Sequence, residues 1–313
     1  MDAADLVERV TIAPTDFEWY RFLVQRPPRD EVNYWKPSAD KRFLAEPFTP
    51  FLFKLKAPRN AIGGFGWFAR YARLPDWLAW DCFGEGNGCW SLAAMRERLA
   101  GIRKRIDWRP TRHGDQIGCI VIVQPVFFAE RDWIAQPNTW PARSLTPVTR
   151  TMEDPEWARV WAECRRLAAA ARPEMVAEAS PRFGAARLVQ PRLGQGAFRV
   201  AVTDAYGRAC AVTGEHSLPA LDAAHIRAVA DDGPYEVRNG ILLRADLHRL
   251  FDVGYVTVDG EKRFRVSPRL RADFANGKSY YPLDGKPVSL PEAAAERPSD
   301  EFLAWHRERR FLG

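Results

Sequence analysis

The sequence predicts an α+β protein of two units joined by a helix. Three observations carry this. Residues up to about 140 read as short strands rich in Gly, Pro and aromatic side chains, with one helical stretch among them. Residues 151–178 carry a helical apolar stripe. The stretch from Leu221 to Asp252, "LDAAHIRAVADDGPYEVRNGILLRADLHRLFD", reads as strand, long loop, strand and helix. With 313 residues and 46% hydrophobic side chains, the chain is long enough for two cores.

In the first unit "PFLFKLK" alternates, as a half-buried strand does. "GGFGWFARYARLP" is expected to set Phe65, Trp67 and Ala69 on one face and Phe68 and Arg70 on the other. "SLAAMRERLAGIRKR" spaces Leu92, Met95, Leu99 and Ile102 for a helix, with Ser91 as its N-cap. "IGCIVIVQPVFF" is apolar enough for a central strand. Strands interrupted by a helix predict a small α+β barrel.

Trp157, Val160, Trp161, Cys164 and Leu167 make the stripe of the next helix, a connector expected to end near Pro173. The expected boundaries are 1–150 for the barrel, 151–189 for the helical connector and a Gly/Pro/Arg loop, and 190–313 for the second unit. In that unit "FRVAVTDAY" reads as a helix. The tail from about 262 is mixed, with one helix near "SDEFLAWHRERR".

Composition bounds the setting. A net charge of +6 and a pI near 9.2 lean toward polyanionic partners. Five cysteines, odd in number and without a C-x-x-C pair, argue against a disulfide framework or a four-cysteine zinc site. A reducing, cytoplasmic interior is the expected location. "MDAADLVERVTIAP" lacks the basic start and apolar core of a signal peptide, and no apolar run reaches spanning length, so no membrane partner is expected.

Chemistry concentrates in the second unit. Five histidines occur in the chain, and His225 and His248 fall within one short stretch, with Asn239 between them. Phosphodiester hydrolysis needs a base for water, a cation for the developing charge, and a frame that holds both. A neutral His ending a strand can be the base. His248 and Asp252 lie four apart on one helical face, where an imidazole and a carboxylate can hold one metal ion. The Asn239 amide can bond backbone across the loop. Each residue alone has a plain structural explanation, a surface His, an Asn-Gly turn or a helix pair. Their order and spacing together favour the chemical one.

"CAVTGEHSLPALDAAHI" followed by "NGILLRADLHRLFD" resembles the HNH endonucleases, whose core is a ββα-metal fold. The resemblance covers roughly residues 190–260. It implies His225 as general base, Asn239 as the framing Asn, His248 as a metal ligand and Asp252 as a second one. It also implies a divalent metal, Mg²⁺ or Mn²⁺, with Zn²⁺ as a further option. One departure stands out. Many members carry a metal ligand immediately before the base, where this chain has Ala224. Asp222, three residues before the base, is the replacement on offer, although strand alternation points it away from the His225 side unless the chain bulges. The upstream "PRLGQGAFR" lacks the G-K-[S/T] of a phosphate loop. Its Arg192 and Arg199 are candidate contacts to DNA phosphates.

"NYWKPSADKRF", "PFLFKLKAPRNAIGGFGWFARYARLP" and "IGCIVIVQPVFFAERDWI" look like the PUA superfamily, which includes EVE, ASCH and SRA domains. That resemblance implies a reader that holds an extruded, modified base in an aromatic pocket. Trp35, Phe53, Trp67, Tyr71, Trp77 and Trp80 are the candidate lining. Lys54, Lys56, Arg59 and Arg70 are candidate phosphate partners. A reader joined to such a nuclease resembles the modification-dependent (type IV) restriction endonucleases, which act in phage defence. The expected partner is double-stranded DNA carrying modified bases, typically cytosines. A homodimer is plausible, because a double-strand cut needs two active sites or two events. The alternatives are a nuclease for unmodified DNA or RNA, and a non-catalytic reader whose second unit is only structural.

Overall fold

The computed structural model describes residues 9–110, 114–140, 144, 146–171, 176–177, 187–188 and 193–313. The chain forms two compact units, residues 1–197 and 198–313. The first contains β1 (Arg9–Thr15), α1 (Phe17–Val24), β2 (Glu31–Lys36), β3 (Pro50–Leu55), β4 (Ala61–Leu74), α2 (Asp76–Phe83), α3 (Leu92–Arg105), β5 (Ile117–Phe127), β6 (Ile134–Ala135), β7 (Val148–Thr151) and α4 (Pro155–Ala171). Two short strands, β8 (Val176–Ala177) and β9 (Arg187–Leu188), pair antiparallel.

Seven strands run in the order β2-β5-β4-β3-β1-β7, with β6 added to β4. Only β1 and β3 are parallel. Strands β2 and β1 are distant in this order yet meet across the interior. The Tyr34 hydroxyl donates to the Pro14 carbonyl at 3.0 Å, and the Tyr34 and Phe51 rings lie 5.1 Å apart. Helix α1, capped by the Asp16 carboxylate, buries Trp19, Tyr20 and Leu23 in the same core. Its Trp19 indole donates to the Asn33 carbonyl at 3.2 Å. The sheet is therefore wrapped barrel-like around Phe51, Phe53, Phe68, Tyr71, Ile120 and Ile122. Side chains and α1, rather than a backbone ladder, join β2 to β1 among the described residues.

Two local expectations meet different outcomes. Ser91 Oγ accepts from the Ala94 amide at 3.1 Å and starts α3 where a capping serine should. The alternation along β4 sets Phe65 and Trp67 on one face and Phe68 on the other, as expected, but does not continue beyond them. The register shifts between Phe65 and Trp67 and again between Phe68 and Arg70, so Phe68 and Tyr71, three apart, share the inner core. Phe65 and Trp67 instead meet Trp161 of α4, at 5.1 and 5.6 Å between rings. The helix expected as a connector is thus a wall of the first unit. Trp157, Val160, Trp161 and Cys164 are buried as the stripe requires, with Ala168 rather than Leu167 completing it. Burial of side chains this large is worth about 1.5–3 kcal/mol each, too much to leave to a free linker. All five cysteines are free thiols. Among the described residues no helix is long and apolar enough to cross a membrane.

The second unit is built from α5 (Gln195–Ala205), which begins just before the boundary, β10 (Leu221–His225), β11 (Gly240–Arg244), α6 (Ala245–Asp252), β12 (Val256–Val258), β13 (Phe264–Val266), α7 (Arg269–Phe274) and α8 (Asp300–Arg309). β10 and β11 pair antiparallel without a bulge. Their apolar residues share one core with Phe198, Val202, Leu247, Phe251 and Leu303. The β12–β13 hairpin and α7 are not anticipated by the sequence, since three-residue strands are too short to display a period.

Helix α8 is anchored by His306, which is 2% exposed and stacked on Phe251 at 3.7 Å. Its Nε2 donates to the Phe251 carbonyl at 3.0 Å, so Nδ1 accepts from the Thr257 hydroxyl at 2.8 Å. Burial, with Arg310 and Arg307 nearby, pushes its pKa down to about 4 against the opposing pull of the Phe251 bond. The folded pKa lies below the unfolded value of about 6.5. This histidine's contribution is therefore fully present above that value and is lost as pH falls toward 4. Acidification from pH 7 to 4 should cost the second unit roughly 2–4 kcal/mol through His306. Urea midpoints of the wild type and His306→Leu, compared at both pH values, test this. Equal pH sensitivity in the two proteins would remove His306 as the cause.

Candidate active site

The hairpin β10–β11 and helix α6 assemble the site. β10 places Asp222 and Ala224 on one face and Leu221, Ala223 and His225 on the other. At the strand's end His225 lies flat against Phe198 of α5, with ring centroids 3.9 Å apart and planes at 12°. Tyr235, from the loop between the strands, meets the imidazole edge-on at 5.1 Å. Gly240, paired with His225 in register, makes the stack with Phe198 feasible. A Cβ there would fall 2.3 Å from Val202 Cγ2 and 3.0 Å from the Phe198 ring.

These neighbours set the state of His225. Burial, reinforced by His248, lowers its pKa to about 4, so the imidazole is neutral at physiological pH. Nε2 is sheltered and has no hydrogen-bond partner among the described residues.

Asn239 is fully buried immediately before β11. Its Oδ1 accepts from the Arg227 amide at 2.8 Å, and Nδ2 donates to the carbonyls of Arg227 at 2.9 Å and Pro234 at 3.0 Å. Its own carbonyl accepts from the Ile226 amide at 2.9 Å. One side chain thus closes the loop directly after His225. Asn239→Ala would strand three backbone groups and should destabilise the second unit by roughly 2–4 kcal/mol. Asn239→Asp should fare no better, because a carboxylate oxygen would then face two carbonyls. Urea denaturation measures both; a wild-type midpoint in either variant would contradict this account.

His248, on α6, stands between two carboxylates. Nδ1 is 3.5 Å from Asp222 Oδ2, and Nε2 is 3.3 Å from Asp252 Oδ2. Asp222 reaches His248 although β10 pairs with β11 without a bulge. Burial raises the Asp252 pKa, with His248 and Arg310 opposing and Asp222 adding to the rise. Among the described residues no three His, Cys, Asp or Glu side chains form by themselves a group able to hold a metal ion. What the residues offer is one imidazole with a carboxylate at each nitrogen.

The other predicted positions divide by burial. Phe53 is fully buried and Trp67 and Tyr71 are each 7% exposed, so these three pack in the core. Trp35, Trp77 and Trp80 are half-buried, and the Trp35 indole donates to the Asn87 carbonyl at 2.9 Å. Lys54, expected as a phosphate partner, is instead buried. It is 5% exposed, and its ammonium donates to Asn60 Oδ1 at 3.1 Å. Its stem lies in a strand covered on its outer face, which the alternation of "PFLFKLK" did not reveal. Lys56 and Arg59 are exposed, the latter with its guanidinium over the Phe17 ring. Arg199 is half-buried on α5, and Arg192 lies outside the described residues. The sequence reading missed Phe198 and Tyr235. Phe198 was visible as part of an apolar stripe with Val202 and Tyr206, but nothing in the stripe says which ring it meets.

A strand ending in His, a loop closed by Asn, a second strand and a helix bearing the second His define a ββα nuclease core. Residues 210–259 match the family model described as HNH endonuclease, and this part of the chain is an HNH domain. Similar solved structures include two of an ASCH protein from Zymomonas mobilis. One, a point mutant, is 8% identical and covers 49% of this chain and 96% of its own, with a TM-score of 0.33. The other is 10% identical and covers 49% and 93%, with a TM-score of 0.31. A third, described as a modification dependent TagI restriction endonuclease, is 10% identical and covers 92% and 78%, with a TM-score of 0.27. No curated protein matches the chain.

Proposed function

We propose that this chain is a metal-dependent endonuclease of the modification-dependent (type IV) restriction class, acting in phage defence on double-stranded DNA that carries modified bases. The observation that carries the nuclease part is the neutral His225 beside the His248 pair of carboxylates. With Nε2 shut away, Nδ1 is the nitrogen left to take a proton from water. The water oxygen then attacks phosphorus, and the phosphorus–oxygen bond to the leaving sugar breaks. Phe198 and Tyr235 hold the imidazole plane, and Asn239 holds the loop that follows it.

The donor set suits a divalent ion. A metal-binding His typically donates its other N–H to a carboxylate. His248, with Asp222 or Asp252 as co-ligand, would hold the ion in that pattern. When bound, the ion would neutralise charge on the phosphate and leaving oxygen.

The first unit supplies the aim in this reading, with Trp35, Trp77 and Trp80 as the remaining pocket candidates. The burial of Phe53, Trp67 and Tyr71 favours, as a second reading, a nuclease for unmodified DNA or RNA. Parallel digests of DNA with modified cytosines, plain DNA and RNA, each with Mg²⁺ or Mn²⁺, separate the two. Preferential cutting of the modified DNA supports the first. Equal cutting of plain DNA or RNA supports the second, and no cutting of any substrate argues against both.

A further inference from the structure

The loop between α2 and α3 buries every residue from Gly86 to Cys89 and then projects one indole, Trp90, at 68% exposure. The loop is held firmly. Asn87 is fully buried; its amide donates to the carbonyls of Ala79 and Gly84 at 3.0 and 2.8 Å and accepts from Asn33 at 2.8 Å. Gly88, at φ +73°, packs so closely on Trp19 that a Cβ would come within 2.2 Å of that ring. Ser91 then caps α3.

Trp90 is exposed but not loose. The Arg26 guanidinium lies over its ring at 3.8 Å from the centroid and over the Phe22 ring at 4.5 Å. Phe22 meets Trp90 edge-on at 4.9 Å. One side of the indole is therefore braced. Such bracing spends the side chain's rotational entropy before any ligand arrives. The charge beside it is positive. Arg26 and Arg29 share one carboxylate, Glu85, at 3.6 and 2.6 Å, so among the described residues two guanidinium charges meet one carboxylate. A protein-docking hot spot would sit within an apolar surround. Here one guanidinium, Arg26, is stacked on the ring and Arg29 shares its carboxylate, a positive setting that suits a stacking platform beside a phosphate chain.

We infer that Trp90 is a stacking platform for an unpaired nucleobase, with Arg26 and Arg29 facing the adjoining phosphate. This rests on the nuclease reading above and adds a contact outside its catalytic residues. The test is fluorescence anisotropy of a labelled 12-nucleotide single strand with the full-length protein in EDTA, so that binding is measured without cleavage. Trp90→Ala should weaken binding roughly 5- to 100-fold, the usual loss of one base–aromatic stack. Trp90→Phe should retain most of the affinity, and both variants should keep the wild-type urea midpoint. Wild-type affinity in Trp90→Ala, with cleavage intact, would overturn the platform and leave the nuclease standing. Equal losses in the Ala and Phe variants would also overturn it, since a phenyl ring still stacks. A wild-type protein that neither binds nor cuts nucleic acid would overturn both readings.

Discussion

His225→Ala is expected to cut cleavage by about 10²–10⁴-fold while leaving DNA binding near the wild-type level. The imidazole sits at the end of β10, against Phe198 and Tyr235, and its Nε2 bonds to none of the described residues, whereas the following loop is held by Asn239. Its loss therefore removes the proposed base without opening the loop. A modest fall in stability should accompany it, because Phe198 loses a stacked partner. The pH profile gives a second measurement. Burial and His248 hold the folded pKa near 4, below the ordinary value of about 6.5. Protonation abolishes the base, so the acid limb of the rate should fall near pH 4 to 5 rather than near 6.5. Near-wild-type turnover in the alanine variant would remove His225 from the role. An acid limb at 6.5 would show that the burial around it relaxes when substrate binds.

Chelation is expected to stop cleavage altogether, and added Mg²⁺ or Mn²⁺ to restore it. His248→Ala should lower the rate by about 10²-fold or more, since even the partners of metal ligands are worth about 10–100-fold. The two carboxylates should separate in a direct Mn²⁺ titration. They face opposite nitrogens of one ring, at 3.5 Å for Asp222 and 3.3 Å for Asp252. In the proposed metal site one would be the co-ligand and the other would orient the imidazole. Asn in place of the co-ligand should abolish measurable binding. Asn in place of the orienting residue should weaken it by a smaller factor. Activity indifferent to EDTA, or Mn²⁺ affinity unchanged in His248→Ala, would remove the metal from this site.

Much of this protein is legible in short stretches of its chain. The apolar spacings of α3 and α4, the Ser91 cap, and the strand–loop–strand–helix order around His225, Asn239 and His248 are all local or short-range patterns. Periodicity and capping are properties of neighbouring residues, and they can be read without knowing what lies opposite. Tertiary structure alone decided the rest. Whether an aromatic ring is core or surface depends on what covers it. Phe53, Trp67 and Tyr71 are packed inside, whereas Trp90, with no distinguishing pattern, stands out on a tight loop. The bulges of β4 shift its faces by amounts no alternation encodes. Asp222 shows the same limit. Alternation along the strand says nothing of what Asp222 meets, and only the packing of α6 against β10 brings it to His248. Long-range contacts of this kind are chosen by the shape of the whole core, where many apolar residues compete for the same space, and no short window of sequence records the outcome.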